Sequence, residues 1–98
     1  MTEIERLEKA LLDLHGCKGK HVRSVTVHET FEGKTVWQGA VEVFELDNHP
    51  QAKVAYAWSY KADDGNMHHV AVLGVPPVNS PQDAVRAYVV TEAQKKQI

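Results

Sequence analysis

Residues 52–61 and 67–75 constrain this chain more than any other stretch, because each reads as a strand that is apolar on both faces. In the first, Val54, Tyr56, Trp58 and Tyr60 alternate with Ala55, Ala57 and Ser59, just after Ala52. In the second, Val70 and Val72 take one face while Ala71, Leu73 and Val75 take the other. An antiparallel strand with one wet face alternates apolar with polar residues. These two do not, so a sheet built on them needs cover on both sides.

The rest of the chain supplies the elements that give cover. Residues 2–15 read as a helix: Thr2 and Glu5 form a capping-box pair, and Ile4, Leu7, Leu11 and Leu14 make one apolar stripe. Gly16 is placed to end it in a left-handed conformation. A strand over about 21–30 and another over about 34–46 follow, joined by a three-residue loop, Phe31-Glu32-Gly33. That loop length puts Val25, Val27, Trp37, Gly39, Val41 and Val43 on one face. It puts Ser24, Thr26, His28, Gln38, Ala40 and Glu42 on the other, whereas a two-residue loop mixes the faces. Asp47–Gln51 is a turn cluster, Asp63-Asp64-Gly65-Asn66 is a hairpin signal, and Pro76-Pro77 stops the fourth strand. The last element is a helix from Pro81 to about Lys95, with Ser80 as N-cap, Asp83 completing the box, and Val85, Tyr88 and Val89 as the inner stripe.

The expected architecture is one α+β domain over residues 1–98: a four-stranded antiparallel sheet, a meander by default, with both helices packed on one face as a two-layer α-β-β-β-β-α sandwich. Two helices on one face leave the other bare. The row Tyr56, Trp58 and Tyr60, with Val70 and Val72 beside it, is then an exposed apolar patch of the kind that marks an interaction site. The alternative places that row in the core under the helices. A third reading, a ligand or single-stranded nucleic-acid platform, is weakened by the absence of a positive groove. The functional expectation is a non-enzymatic interaction module that homodimerises through this face, with replacement of Trp58 by Glu giving a folded monomer. The competing class is a ligand-binding protein or small enzyme with a pocket between sheet and helices, using His28, His68 or His69.

Composition narrows the classes. The formal net charge is −2, from 11 basic and 13 acidic side chains, whereas duplex-binding domains carry a basic excess. Lys18, Lys20, His21 and Arg23 form only a short basic segment. Hydrophobic residues at 43% and charged residues at 24% describe ordinary globular usage. No apolar run approaches the ~20 residues of a membrane span. The single cysteine, Cys17, and a start without a secretory pattern favour the cytoplasm.

Six histidines raise the question of metal and acid–base chemistry. His15, Cys17 and His21 give a His-x-Cys-x₃-His spacing around a glycine-containing loop, a donor set suited to zinc that lacks a local fourth ligand. His68 and His69 are adjacent on a strand and point to opposite faces, so they cannot chelate one ion together. Cys17 lies near a helix C-terminus, where the dipole disfavours a thiolate nucleophile. Glu29, Glu42 and Glu45 carry no spacing that separates a carboxylate pair from a solvated strand face. His49-Pro50 reads as shaping the turn between the second and third strands. There is no glycine-rich phosphate loop, and no cofactor is expected.

The segments Gly33-Lys34-Thr35-Val36-Trp37, Val41-Glu42-Val43-Phe44, His49-Pro50 and Tyr56-Ala57-Trp58 resemble a group of small bacterial proteins with no established activity. The resemblance implies a bacterial cytosolic origin and carries over no catalytic residue. The helix–strands–helix order is also similar to that of double-stranded-RNA-binding domains, but the start of the last helix, Pro81-Gln82-Asp83, is acidic where those domains are basic.

Overall fold

A computed structural model of the chain describes residues 2–47 and 49–96, the last four by backbone alone. The elements are α1 (Glu3–His15), β1 (Lys18–Phe31), β2 (Lys34–Asp47), β3 (Val54–Lys61), β4 (Met67–Leu73) and α2 (Pro81–Lys96). The four strands form one antiparallel sheet in the order β1-β2-β3-β4, the meander expected from the sequence. Both caps of α1 form as read: Thr2 and Glu5 exchange the two hydrogen bonds of a capping box, and Gly16 at φ 68° closes the helix. At α2, Ser80 Oγ accepts from the Asp83 N–H at 3.1 Å, while the Asp83 carboxylate reaches past Ser80 to the N–H of Asn79.

The helices do not share a face, which corrects the two-layer expectation. Leu7 and Leu11 of α1 pack with Phe44, Ala55 and Ala57. Ala84 and Val85 of α2 pack with Val27, Val41, Val43, Tyr56 and Trp58. Successive residues of a strand point to opposite faces, so Ala55 and Ala57 lie on one side of β3 and Tyr56 and Trp58 on the other. The result is three layers, helix on sheet on helix. The small side chains of β3 let α1 come close, and on β1 Gly19 leaves room for Leu11, since a Cβ there would lie 2.6 Å from Leu11 Cδ2. The loop through Pro76-Pro77 carries the chain to the far side, where α2 covers the aromatic row. Cover on both faces is what the doubly apolar strands demanded; the chain provides it from its own two helices.

The first hairpin also differs from expectation in an informative way. Its loop has two residues, Glu32 and Gly33, both at positive φ (52° and 78°), as the tight turns of two-residue hairpins require. The faces stay unmixed because Glu29 pairs with Trp37 and Thr30 with Thr35, leaving Val36 as an extra residue bulged from β2. A second irregularity sets Val22 outside the ladder of β1. Beyond the bulge, Val25 pairs with Val41 and Val27 with Gly39, so the apolar and polar faces fall as the alternation indicated.

Each outer strand has one carbonyl engaged by a helix side chain. His15 Nε2 donates to the Ala71 carbonyl of β4 at 2.8 Å, and Gln82 Nε2 donates to the His28 carbonyl of β1 at 3.3 Å. Such contacts blunt strands that would otherwise offer unpaired groups to another chain.

Candidate functional site: an aromatic cleft between the hairpins

β1 and β2 are 14 residues each, whereas β3 has 8 and β4 has 7. The β2–β3 ladder is shorter still, running only from Glu45↔Val54 to Glu42↔Ala57. Past that point the two hairpins part, and the bulge at Val36 lies on the open stretch of β2. Side chains rather than ladder hydrogen bonds fill the space between them.

The space is a cleft of about 590 Å³. β2 lines it with Val36 and Trp37, and β3 and its turn contribute Tyr60, Lys61 and Asp63. Tyr88, Val89 and Glu92 of α2 close it from the helix side. Behind these stands Trp58, 1% exposed, meeting Trp37 edge to face (centroids 5.5 Å, 67°) and Tyr88 likewise (5.5 Å, 86°). Tyr60 and Tyr88 meet at 6.2 Å and 54°, and the His68 ring stacks on Tyr60 at 5.6 Å. Gly39 allows the Trp37 ring to lie along β2, since a Cβ there would be 3.2 Å from its Cη2. On the α1 side, a smaller pocket of about 210 Å³ sits between Glu3, Ala40, Glu42 and Ser59.

Burial disfavours ionisation at Tyr88 and Tyr56. Burial, helped by a hydrogen bond to Tyr60 and the negative charge of Glu92, pushes the Tyr88 hydroxyl well above the ordinary phenol value. Burial also raises Tyr56. At the far end of the cleft, the Asn66 N–H donates to Asp64 at 2.9 Å, which lowers that carboxyl and fixes the β3–β4 turn; His68 lies 3.4 Å from the same carboxylate.

The aromatic row proposed as an open interface is therefore not open. Tyr56 (4% exposed) and Trp58 are core residues beneath α2, and Val70 and Val72 are half-buried against the same cluster. The physical reason is the placement of α2 on this face. Of that row only Tyr60 reaches the cleft.

The histidines disperse. His28, exposed on the polar face of β1, lies 2.6 Å from Thr35 Oγ1. His68 shares the α2 side with Tyr60, and His69, paired with Ser59, takes the opposite face, so the three form no common acid–base group. His15 is held by Ala71, the buried Cys17 donates its thiol to the His15 carbonyl at 3.2 Å, and His21 sits 2.8 Å from Glu42. Each member of that candidate metal trio has a different partner, and among the described residues no three metal-ligating side chains converge. Glu29 lies under α2, held by Gln82 and by Arg86 at 3.2 Å; Glu42 lies on the other face with Ser24 and His21. They are not a carboxylate pair, and Glu45 is exposed. His49 does shape its turn, its Nδ1 accepting from the N–H groups of Gln51 and Ala52 at 3.1 and 2.8 Å. No helix of the described residues is long and apolar enough to cross a membrane.

The chain matches no family model, no curated protein and no solved structure. What the cleft does has to be read from its own residues. Trp37 and Tyr88 were legible as inward-facing but not as members of a site. The signal for the opening was the consecutive pair Val36-Trp37, which breaks strand alternation and marks the bulge.

Proposed function

We propose that this chain is a small non-enzymatic binding protein whose ligand occupies the cleft between its two hairpins. One observation carries the reading: where the β2–β3 ladder stops, Trp37, Tyr60 and Tyr88 line an open space. Its volume falls in the range of small-molecule sites, about 300–1,000 Å³, which are lined mainly by apolar and aromatic side chains with a few polar groups. The lining, an indole, two valines, two phenols and the charged side chains Lys61, Asp63 and Glu92, includes no histidine, cysteine or serine and suits recognition better than bond-breaking. His68, stacked on Tyr60 and next to Asp64, acts as a brace.

Homodimerisation through the aromatic row is not part of this proposal, because α2 occupies that face. We place the protein in the bacterial cytoplasm, on its lone cysteine, its near-balanced charge and the resemblance of its Gly33–Trp37 and Tyr56–Trp58 segments. The test is a two-dimensional NMR screen of small aromatic, aliphatic and charged compounds against the isotope-labelled full chain. Shifts concentrated on the Trp37 indole, Val36 and Val89 support the reading. Shifts centred on the Ser24–Glu42–His21 cluster, or scattered over the surface, overturn it.

A further inference from the structure

We propose that the cleft takes a short extended peptide, which adds as a strand along the open stretch of β2 and sends alternate side chains between Trp37, Tyr60 and Tyr88. This rests on the cleft being a ligand site and names the class of ligand.

In an antiparallel sheet the N–H and C=O of one residue point to the same side of the strand, and those of the next residue to the other. The Leu46 N–H donates to the Lys53 carbonyl at 2.9 Å, so the even-numbered residues of β2 direct these groups toward β3. The Val54 carbonyl accepts from the Gly74 N–H at 2.8 Å, and the Ala62 N–H donates to the Asn66 carbonyl at 2.9 Å. Even-numbered residues of β3 therefore face β4, and odd-numbered ones face β2. The pairing of β2 with β3 ends at Glu42↔Ala57, although both strands run on. Past that pair, Ala40 and Gln38 on one side and Ser59 and Lys61 on the other turn their backbone groups toward the gap, outside the ladder. The interior of the sheet thus contains two strand edges that face each other.

The gap opens onto the cleft, which Val36 and Trp37 line from β2 and Tyr60 and Lys61 from β3. A strand laid along β2 would send every second side chain to the α2 side, among the aromatic rings. Its other side chains would face the α1 side, where Ala40 and Ser59 border the small pocket with Glu3 and Glu42. Strand addition takes affinity from main-chain hydrogen bonds and selectivity from pockets for alternate side chains, and the cleft offers both. A purely apolar compound would cover Gln38 and Lys61 without bonding their backbone groups, whereas each residue of a peptide brings a donor and an acceptor.

Hydrogen exchange and NMR titration of the isotope-labelled full chain test this. In the free chain the amides of Gln38 and Lys61 should exchange fast, while those of Gly39 and Tyr60, which face β1 and β4, should exchange slowly. The probe is the blocked peptide acetyl-Thr-Val-Thr-Val-Thr-amide. It should shift the Trp37 indole N–H saturably and slow exchange at Gln38 and Lys61. A copy N-methylated at every residue keeps the side chains and removes the N–H groups; it should bind about 10-fold or more weakly, as expected for the loss of two or more backbone hydrogen bonds. Equal binding of the two peptides at the cleft overturns the inference while leaving the cleft a site for an apolar group. Slow exchange at Gln38 and Lys61 in the free chain, peptide shifts along the outer edges of β1 or β4, or no shifts at all also overturn it; the cleft itself is then judged by the broader compound screen.

Discussion

Trp58 gives the sharpest test of the architecture, since its surroundings decide between a buried row and an exposed one. Truncating a buried aromatic to Ala costs about 3–5 kcal/mol. Trp58 sits at 1% exposure with two edge-to-face ring partners, which argues for the upper part of that range. One term works in the other direction. The Trp58 indole N–H is buried without a hydrogen-bond partner, and relieving such a donor returns about 1 kcal/mol or more. The expected net loss for Trp58→Ala is about 3 kcal/mol, out of a total of about 5–15 kcal/mol for a domain of this size. With a urea dependence of about 1.5 kcal/mol per molar, the unfolding midpoint should fall by roughly 2 M. Trp58→Phe keeps most of the packing and removes the orphaned donor, so it should cost about 1 kcal/mol or less. Trp58→Glu places a carboxylate in the core and should not fold. Urea unfolding followed by circular dichroism orders the three. A Trp58→Ala protein within about 0.5 kcal/mol of the parent, or a folded Trp58→Glu protein, would refute burial beneath α2.

Other outcomes follow from named contacts. The Arg86 guanidinium, followed by Gln82, holds the Glu29 carboxyl below its ordinary value of 4.5; the resulting stability is fully present above that value and is lost as pH falls from it through the lowered folded value. Arg86→Ala should therefore move acid unfolding, followed by circular dichroism, to higher pH, and an unchanged acid midpoint would count against the pairing. Tyr56 and Tyr88 should ionise later than free tyrosine in an ultraviolet titration, and the stability they confer should be present below about pH 10 and lost as pH rises through their folded values. Gly19→Ala and Gly74→Ala should each destabilise the fold by about 1–3 kcal/mol in thermal melts, because the new methyl meets Leu11 Cδ2 and Phe44 Cβ in one case and Val54 Cγ2 and its carbonyl in the other. Gly33→Ala, at φ 78° in open space, should cost about 1 kcal/mol through backbone strain alone.

Much of the fold could be read from strand alternation, and the misreadings have identifiable causes. Val25 and Val27, and likewise Val41 and Val43, were legible as sharing a face within their own strands because side-chain direction in a strand repeats every two residues. The loop itself was misjudged because a regular ladder was assumed: the bulge at Val36 absorbs the one-residue offset that a Glu32-Gly33 turn creates. The side taken by α2 was not legible, since Val85, Tyr88 and Val89 would pack equally well against either face and the Pro76-Pro77 connection carries no directional signal. The cleft was hidden for a different reason. It depends on where β2 and β3 stop pairing, which follows from the differing strand lengths and the bulge and not from the character of any one residue.

The placement of the helices on opposite faces has a consequence in time as well as in space. During synthesis α1 emerges before the sheet, so its side of β3 has a cover waiting as soon as Ala55 and Ala57 appear. The aromatic side has none until the 16 residues of α2 follow the last strand. Whatever part of the sheet forms first, the side of β3 that carries Tyr56 and Trp58 is completed last, when α2 docks on it.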